Sequence, residues 1–248
     1  MLSKAVVKYI KSLQVKKYRN QHQAFVVEGA KSILELLQSD FRLQHLFVTE
    51  DFLREHAAIL GQGLTYEVVK EEELVKAGTF ASNNAGLAVA SMRQLPPLQL
   101  KPSDLAIALD DIRDPGNLGT IIRIADWYGI EHVVCSENCA DFYNPKVISA
   151  TMGSFTRVKV HYLDLPTWLQ QLGGKYKIYG AALNGENLHQ LQLKPEGIVV
   201  LGNEANGIRP EVAQQVNQLI KIPAFGKAES LNVATATAII IDNFRRHG

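Results

Sequence analysis

From Leu105 onward, short runs of β-branched and small apolar residues recur with helix-like stretches between them, and this alternation leaves few architectures open. Leu105–Leu109, His132–Cys135, Arg157–Val160, Lys175–Ala182, Ile198–Leu201 and Leu219–Ile222 are short, apolar and bounded by turn formers, so they read as strands, most of them buried. Helical periodicity lies between them, clearest from about Leu118 to Tyr128. Strands separated by helices predict right-handed crossovers and an α/β domain with a mostly parallel sheet. The last segment, Leu231 to Arg246, carries V-A-T-A-T-A-I-I-I. Its wide apolar surface predicts a helix buried on more than one side, either in its own core or in a dimer.

The N-terminal half shows the same alternation on a smaller scale. Strands are expected at Ala24–Val27, His45–Val48, Thr65–Val69 and Leu87–Ser91, with helices from about Ala30 to Gln38, from Asp51 as N-cap, and from the K-E-E-E-L run at Lys70. Residues 94–103 contain three prolines and no periodic pattern, which predicts a stiff, extended connector. The expected organisation is a basic N-terminal helix (1–19), a small α/β domain (20–93), the linker (94–103) and the larger α/β domain (104–248). No nucleophile, base or metal-ligand pattern stands out in 20–93, so that domain reads as a packing or recognition module.

Net charge is only +1, but its distribution is uneven. Lys4, Lys8, Lys11, Lys16, Lys17 and Arg19 precede the first acid, Glu28. Leu2, Val6, Tyr9, Ile10 and Leu13 recur at helical spacing, which puts the cations on the opposite face. Such a face is either solvated surface or a phosphate-contacting arm. With 46% hydrophobic residues the chain can bury a substantial core. No apolar run approaches the ~18 residues that span a bilayer, and the charged N-terminus does not read as a signal peptide. A cytoplasmic protein with no membrane partner is therefore expected. Cys135 and Cys139 are the only cysteines; two thiols alone do not make a zinc site, and they read as structural.

Three segments carry candidate chemistry. In Asp110–Arg123 (D-D-I-R-D-P-G-N-L-G-T-I-I-R), Pro115, Gly116 and Gly119 form a turn feeding a helix, with Asn117 as the expected cap. This is neither a Walker loop nor G-x-G-x-x-G. Arg123 falls on the second helical turn, where Asp110, Asp111 and Asp114 are candidate ion-pair partners. Leu201–Ile208 (L-G-N-E-A-N-G-I) leaves the carboxyl end of a strand, where open α/β sheets bind ligands. Its glycines, Gly202 and Gly207, allow close approach to the main chain, and Glu204 stands between them. Ile222–Ala234 follows another strand and ends in S-L-N-V-A, with Ser230 the expected N-cap of the final helix and Asn232 in its first turn. Ser230 lacks the G-x-S-x-G setting of a hydrolytic nucleophile.

Taken in this order, the three segments resemble the motifs of the SpoU (TrmH) branch of the SPOUT methyltransferases, which methylate the ribose 2′-hydroxyl of RNA. Asn117, Gly119 and Arg123 match the first motif, Gly202–Ile208 the second, and Ile222, Pro223 and Ser230–Ala234 the third. Lys17–Lys31 looks like the start of the family's ribosomal-protein-like substrate-binding domain. The resemblance implies a trefoil knot in the C-terminal domain, a homodimer, and S-adenosylmethionine held around Leu201, Gly202, Asn203, Ile222 and Leu231. It implies that Arg123 is essential, as base or as a group orienting the hydroxyl, and that Asn117, Glu204, Ser230 and Asn232 hold Arg123, the methionine moiety and the ribose. No metal is implied. A full substrate-binding domain favours ribosomal over transfer RNA, the alternatives being a transfer-RNA 2′-O-methyltransferase or a non-catalytic RNA-binding or ribosome-assembly protein. The chain departs from its relatives at Ser82–Ala90, where they usually carry a proline–glutamine–glycine turn.

Overall fold

A computed structural model describes residues 1–61 and 63–246; the last two positions of the expected 104–248 domain lie outside them. The chain forms two compact units: residues 1–94 with 141–156, and residues 95–140 with the chain from Arg157 onward.

The first unit is built on four strands, β1 (Ala24–Glu28), β2 (Leu43–Val48), β3 (Glu67–Val68) and β4 (Gly86–Ser91), in the order β1-β4-β2-β3. β4 is antiparallel to both β1 and β2, whereas β2 and β3 are parallel. One core cluster gathers Ile10 and Leu13 of the N-terminal region with Val26, Phe47, Leu74, Leu87 and Val89. Because side chains alternate along a strand, Phe25 points away from Ala24 and Val26. It meets Phe41, Tyr143 and Phe155 at ring-centroid distances of 4.7 to 6.0 Å. Residues 141–156 thus supply two of the rings that cover β1, which is the physical reason they belong to this unit. The helix after β2 starts two residues earlier than the sequence suggests: Thr49, not Asp51, caps Glu50–Glu55 and accepts from Phe52 N at 3.2 Å. In the departing Ser82–Ala90 segment, buried Asn83 organises the turn, donating to Gly86 O at 2.9 Å and accepting from Gly86 N at 3.1 Å.

The N-terminal basic stretch forms two helices, Lys4–Ser12 and Lys16–His22. The five lysines are exposed, but Arg19 is not a member of that face. Its side chain is buried, ion-paired with Asp141, and donates to Leu13 O and Gln14 O, both at 2.9 Å. An unpartnered buried guanidinium would cost several kcal/mol, so a partner here is a structural requirement. Deleting residues 1–19 would consequently remove core as well as charge.

The second unit is a six-stranded sheet in the order β10-β8-β9-β5-β6-β7, with every pairing parallel. The strands are β5 (Leu105–Leu109), β6 (His132–Cys135), β7 (Lys159–Tyr162), β8 (Ile178–Asn187), β9 (Gly197–Leu201) and β10 (Gln218–Lys221). β5 and β9 are buried at every position, as expected of parallel strands covered on both faces. The chain runs outward from β5 through β6 and β7, then returns to place β9 on the other side of β5. The switch point therefore lies between β5 and β9, where ligand crevices form in such sheets. Helices Pro115–Trp127 and Val233–Arg245 pack against each other.

Two imidazoles bridge β6 and β7, His132 Nδ1 lying 3.3 Å from His161 Nε2. Burial, with His132 and Lys159 nearby, lowers the His161 pKa to about 4. Its folded-state pKa lies below the ordinary 6.5, so the unfolded chain binds the proton more readily. The sign follows: stability is full above about pH 6.5 and falls as pH drops toward 4. The expected loss is about 3 kcal/mol at pH 4 relative to pH 7 from this group. Urea midpoints measured across that range should show the slope, and His161→Phe should flatten it; an unchanged slope in that variant would assign the acid sensitivity elsewhere.

Candidate active site

All three loops singled out in the sequence leave the carboxyl ends of strands: residues 110–114 after β5, 202–208 after β9 and 222–232 after β10. The second and third line a cleft of about 810 Å³ with Leu201, Gly202, Asn203, Glu204, Ile222, Ser230 and Leu231 in its wall. A segment absent from the sequence expectations completes it. The β8–β10 register jumps from Gly180↔Leu219 to Glu186↔Ile220, so 181–185 bow out of the ladder, and Ala181–Asn184 enter the cleft wall. The sequence signal was a run of small residues continuing the strand, which reads as more sheet. Apolar side chains stand open at the rim: Leu183 is 76% exposed, Phe225 94% and Leu231 48%. Exposed apolar groups around a concave, largely apolar wall are what a flat, partly apolar ligand requires.

The loop after β9 is held in one shape. Asn203 N donates to Gly207 O at 3.0 Å and Gly207 N to Asn203 O at 2.8 Å, with Gly207 at φ +67°. The Asn203 side chain accepts from Ala205 N at 2.9 Å and donates to Asp111 O, also at 2.9 Å. Asn203 therefore shapes the loop and ties it to the one after β5. A second tie was not foreseen. Buried Asp110 accepts from Arg209 N at 2.8 Å and Arg209 Nε at 2.7 Å. An acid directly after an all-apolar strand was the available clue, but its partner lies 99 residues away in the chain.

Side chains from the three motifs meet in one hydrogen-bonded chain. Asn117 Nδ2 donates to Glu204 Oε1, and Asn232 Nδ2 donates to Asn117 Oδ1 at 2.9 Å. Local capping frees Asn117 for this contact. The helix starts earlier than expected, at Pro115, and its N-cap is Asp114, which accepts from Asn117 N at 2.8 Å. At the final helix the sequence reading is likewise corrected. Asn232, not Ser230, is the N-cap, accepting from Ala234 N at 3.0 Å and Thr235 N at 3.3 Å, and the helix runs Val233–Arg245. Ser230 is left exposed in the cleft wall. Arg123 is exposed on the Pro115–Trp127 helix. The three acids expected as its partners are committed elsewhere: Asp110 to Arg209, Asp111 to Arg113 Nε at 2.7 Å, and Asp114 to the helix start.

A parallel α/β sheet with an apolar cleft at the carboxyl ends of β8, β9 and β10, walled by preorganised glycine-bearing loops, defines a ligand-binding α/β domain. Which one follows from comparison. Residues 104–242 match the SpoU rRNA Methylase family, and residues 4–82 match the MRM3-like substrate binding domain. The chain belongs to the SpoU rRNA methylase family. It is 29% identical over 241 residues to the 23S rRNA (guanosine(2553)-2′-O)-methyltransferase RlmP of Bacillus subtilis, covering 96% of this chain and 95% of that protein. Among solved structures, a TrmH-family protein from Porphyromonas gingivalis is 36% identical, with a TM-score of 0.83 and full coverage of both chains. An AdoMet-bound rRNA methyltransferase from Sinorhizobium meliloti is 27% identical, with a TM-score of 0.87, covering 100% of this chain and 96% of that one.

Proposed function

We propose that this protein transfers a methyl group from S-adenosylmethionine to a ribose 2′-hydroxyl of ribosomal RNA. The observation that carries the reading is the Glu204–Asn117–Asn232 chain, which joins one side chain from each family motif beside the apolar cleft. The full-length likeness to a 23S rRNA 2′-O-methyltransferase supports the substrate class.

The cleft suits the cofactor. Leu231 and Phe225 offer apolar surface for a purine, while Leu201, Gly202 and Ile222 line the wall, where their main-chain groups would hold it. When bound, the cofactor supplies an electrophilic methyl on a sulfonium. A ribose 2′-oxygen would take that methyl group, and its proton would have to be oriented and removed. A guanidinium carries donors and no acceptor, so the role of Arg123 in this reading is to orient the hydroxyl and stabilise the developing oxyanion, with an RNA phosphate taking the proton. Asn117, Glu204, Asn232 and Ser230 position the ribose and the methionine end. The knot implied by the resemblance and a homodimer belong to the same reading; Trp127, 84% exposed at the end of its helix, suits a partner surface. Among the described residues no helix is long and apolar enough to cross a membrane, and a bacterial rRNA methyltransferase relative fits a cytoplasmic setting.

Incubation with labelled S-adenosylmethionine and separated unmodified ribosomal and transfer RNA should put label into ribosomal RNA and make one phosphodiester resistant to alkali. Label confined to transfer RNA would reassign the substrate. Absence of both transfer and cofactor binding would favour a non-catalytic RNA-binding protein.

A further inference from the structure

The first unit carries a surface that the methyl-transfer step does not use. Lys4, Lys8 and Lys11 fall at i, i+4 and i+7 on the first helix, hence in one exposed stripe. Lys16 and Lys17 extend the charge onto the second helix. Alone, such a stripe is ordinary solvated surface. Beside it, however, stands a series of rings. Tyr9 meets His22 edge-on at 5.1 Å and His45 at 6.1 Å, while His45 stacks on buried Phe47 at 5.9 Å with planes 9° apart. His22 and His45 are exposed. Tyr18, one turn from His22 on the same helix face, is 39% exposed with Lys17 over its ring.

Two backbone features turn this into a shaped surface. The β2–β4 register passes from Leu43↔Ala90 to His45↔Val89, leaving Gln44 as the extra residue of a bulge. Bulges re-aim side chains, and here both Gln44 and His45 reach Tyr9: Tyr9 Oη donates to Gln44 Oε1 at 3.0 Å. In addition, β3 pairs with Phe47 and Val48, so among the described residues no strand lies against Gln44 and His45 on that side.

We infer that this surface holds an unpaired stretch of RNA, with bases stacked on the His22, Tyr9, His45 and Tyr18 rings and flanking phosphates on the lysines. The inference rests on the RNA-methyltransferase reading and names the form of RNA that the first unit takes. Rings give nothing to a paired base, whose faces are already stacked, and A-form duplex is read mainly through backbone and 2′-hydroxyls. An unstacked base offers both a face for the rings and an edge open to hydrogen bonds. The lysines supply the sequence-independent part of the binding.

The test uses the full chain without cofactor, a hairpin RNA carrying 2-aminopurine in its loop, and a blunt duplex of the same length. The wild type should bind the hairpin more tightly and change the 2-aminopurine fluorescence on stacking. His22→Ala/His45→Ala should weaken hairpin binding roughly tenfold while leaving duplex binding and the salt slope alone. His22→Phe/His45→Phe, which keeps rings, should restore it. Lys8→Gln/Lys11→Gln should weaken both RNAs and lower the salt slope by roughly 1.5. Melting curves confirm that the variants stay folded. Equal wild-type affinity for hairpin and duplex, no binding of either, or an alanine pair that binds like wild type would each overturn the inference. Methyl transfer into ribosomal RNA is measured on the same preparation, so hairpin binding without transfer counts against the enzymatic reading alone.

Discussion

Gly202→Ala is expected to abolish S-adenosylmethionine binding, lowering affinity by at least a hundredfold, while the sheet remains folded. A Cβ at this position would lie 2.1 Å from the carbonyl carbon of Gly207 and 2.2 Å from the nitrogen of Ile208. Both obstacles are main chain, so no side-chain rotation relieves them, and the loop after β9 must open. Opening it breaks the paired Asn203–Gly207 hydrogen bonds and moves Asn203 off Asp111 O. Gly207→Ala is the control. Nothing lies within 4 Å of a Cβ there, and only the φ of +67° opposes it, a cost of about 1–2 kcal/mol. Titration calorimetry should therefore find Gly202→Ala inert and Gly207→Ala weakened only severalfold. Equal affinities in the two variants would refute the loop geometry as the basis of cofactor binding.

The second large effect concerns Arg123. Arg123→Ala should cut methyl transfer by about 10²–10³-fold or more, the range lost when a group stabilising developing charge is removed. Affinity for S-adenosylmethionine should stay within about twofold, because Arg123 is absent from the cleft wall. The structure sharpens the expectation by showing where the neighbouring acids go: Asp110, Asp111 and Asp114 all bind other groups. That leaves the guanidinium available to an incoming phosphate or ribose. Arg123→Lys keeps the charge but loses the planar fork, and should recover little activity if orientation of the hydroxyl matters. Turnover retained in Arg123→Ala would remove it from the mechanism.

Much of the architecture was legible because strand and helix patterns are local. The six C-terminal apolar runs became six strands, β5 and β6 with the expected bounds and the others with edges moved by up to five residues where neighbouring register, not local composition, sets the end. The helix starts were read less well. Asn117 and Ser230 are good capping residues by type, yet Asp114 and Asn232 do the capping, since a cap is chosen by the direction from which the chain enters the helix. Of the residues the resemblance named, Asn117, Glu204 and Asn232 are joined by hydrogen bonds and Leu201, Gly202, Asn203, Glu204, Ile222, Ser230 and Leu231 line the cleft, whereas Arg123 belongs to neither group. Asn203 turned out to be a loop brace, and Asp110–Arg209 went unnoticed.

The sequence by itself determined the parallel α/β class and the family, because these rest on periodicity and on residue types at fixed spacings. It also located the three loops, each tied to the end of its own strand. Only the tertiary structure decided which distant residues meet. It sent 141–156 to the first unit to cover β1, buried Arg19 against Asp141, bowed 181–185 into the cleft wall, and turned a stripe of lysines into one flank of a ring-bearing surface. Such contacts join positions up to 122 residues apart, and what selects them is the burial of faces and the pairing of polar groups across the whole chain, which no local pattern encodes.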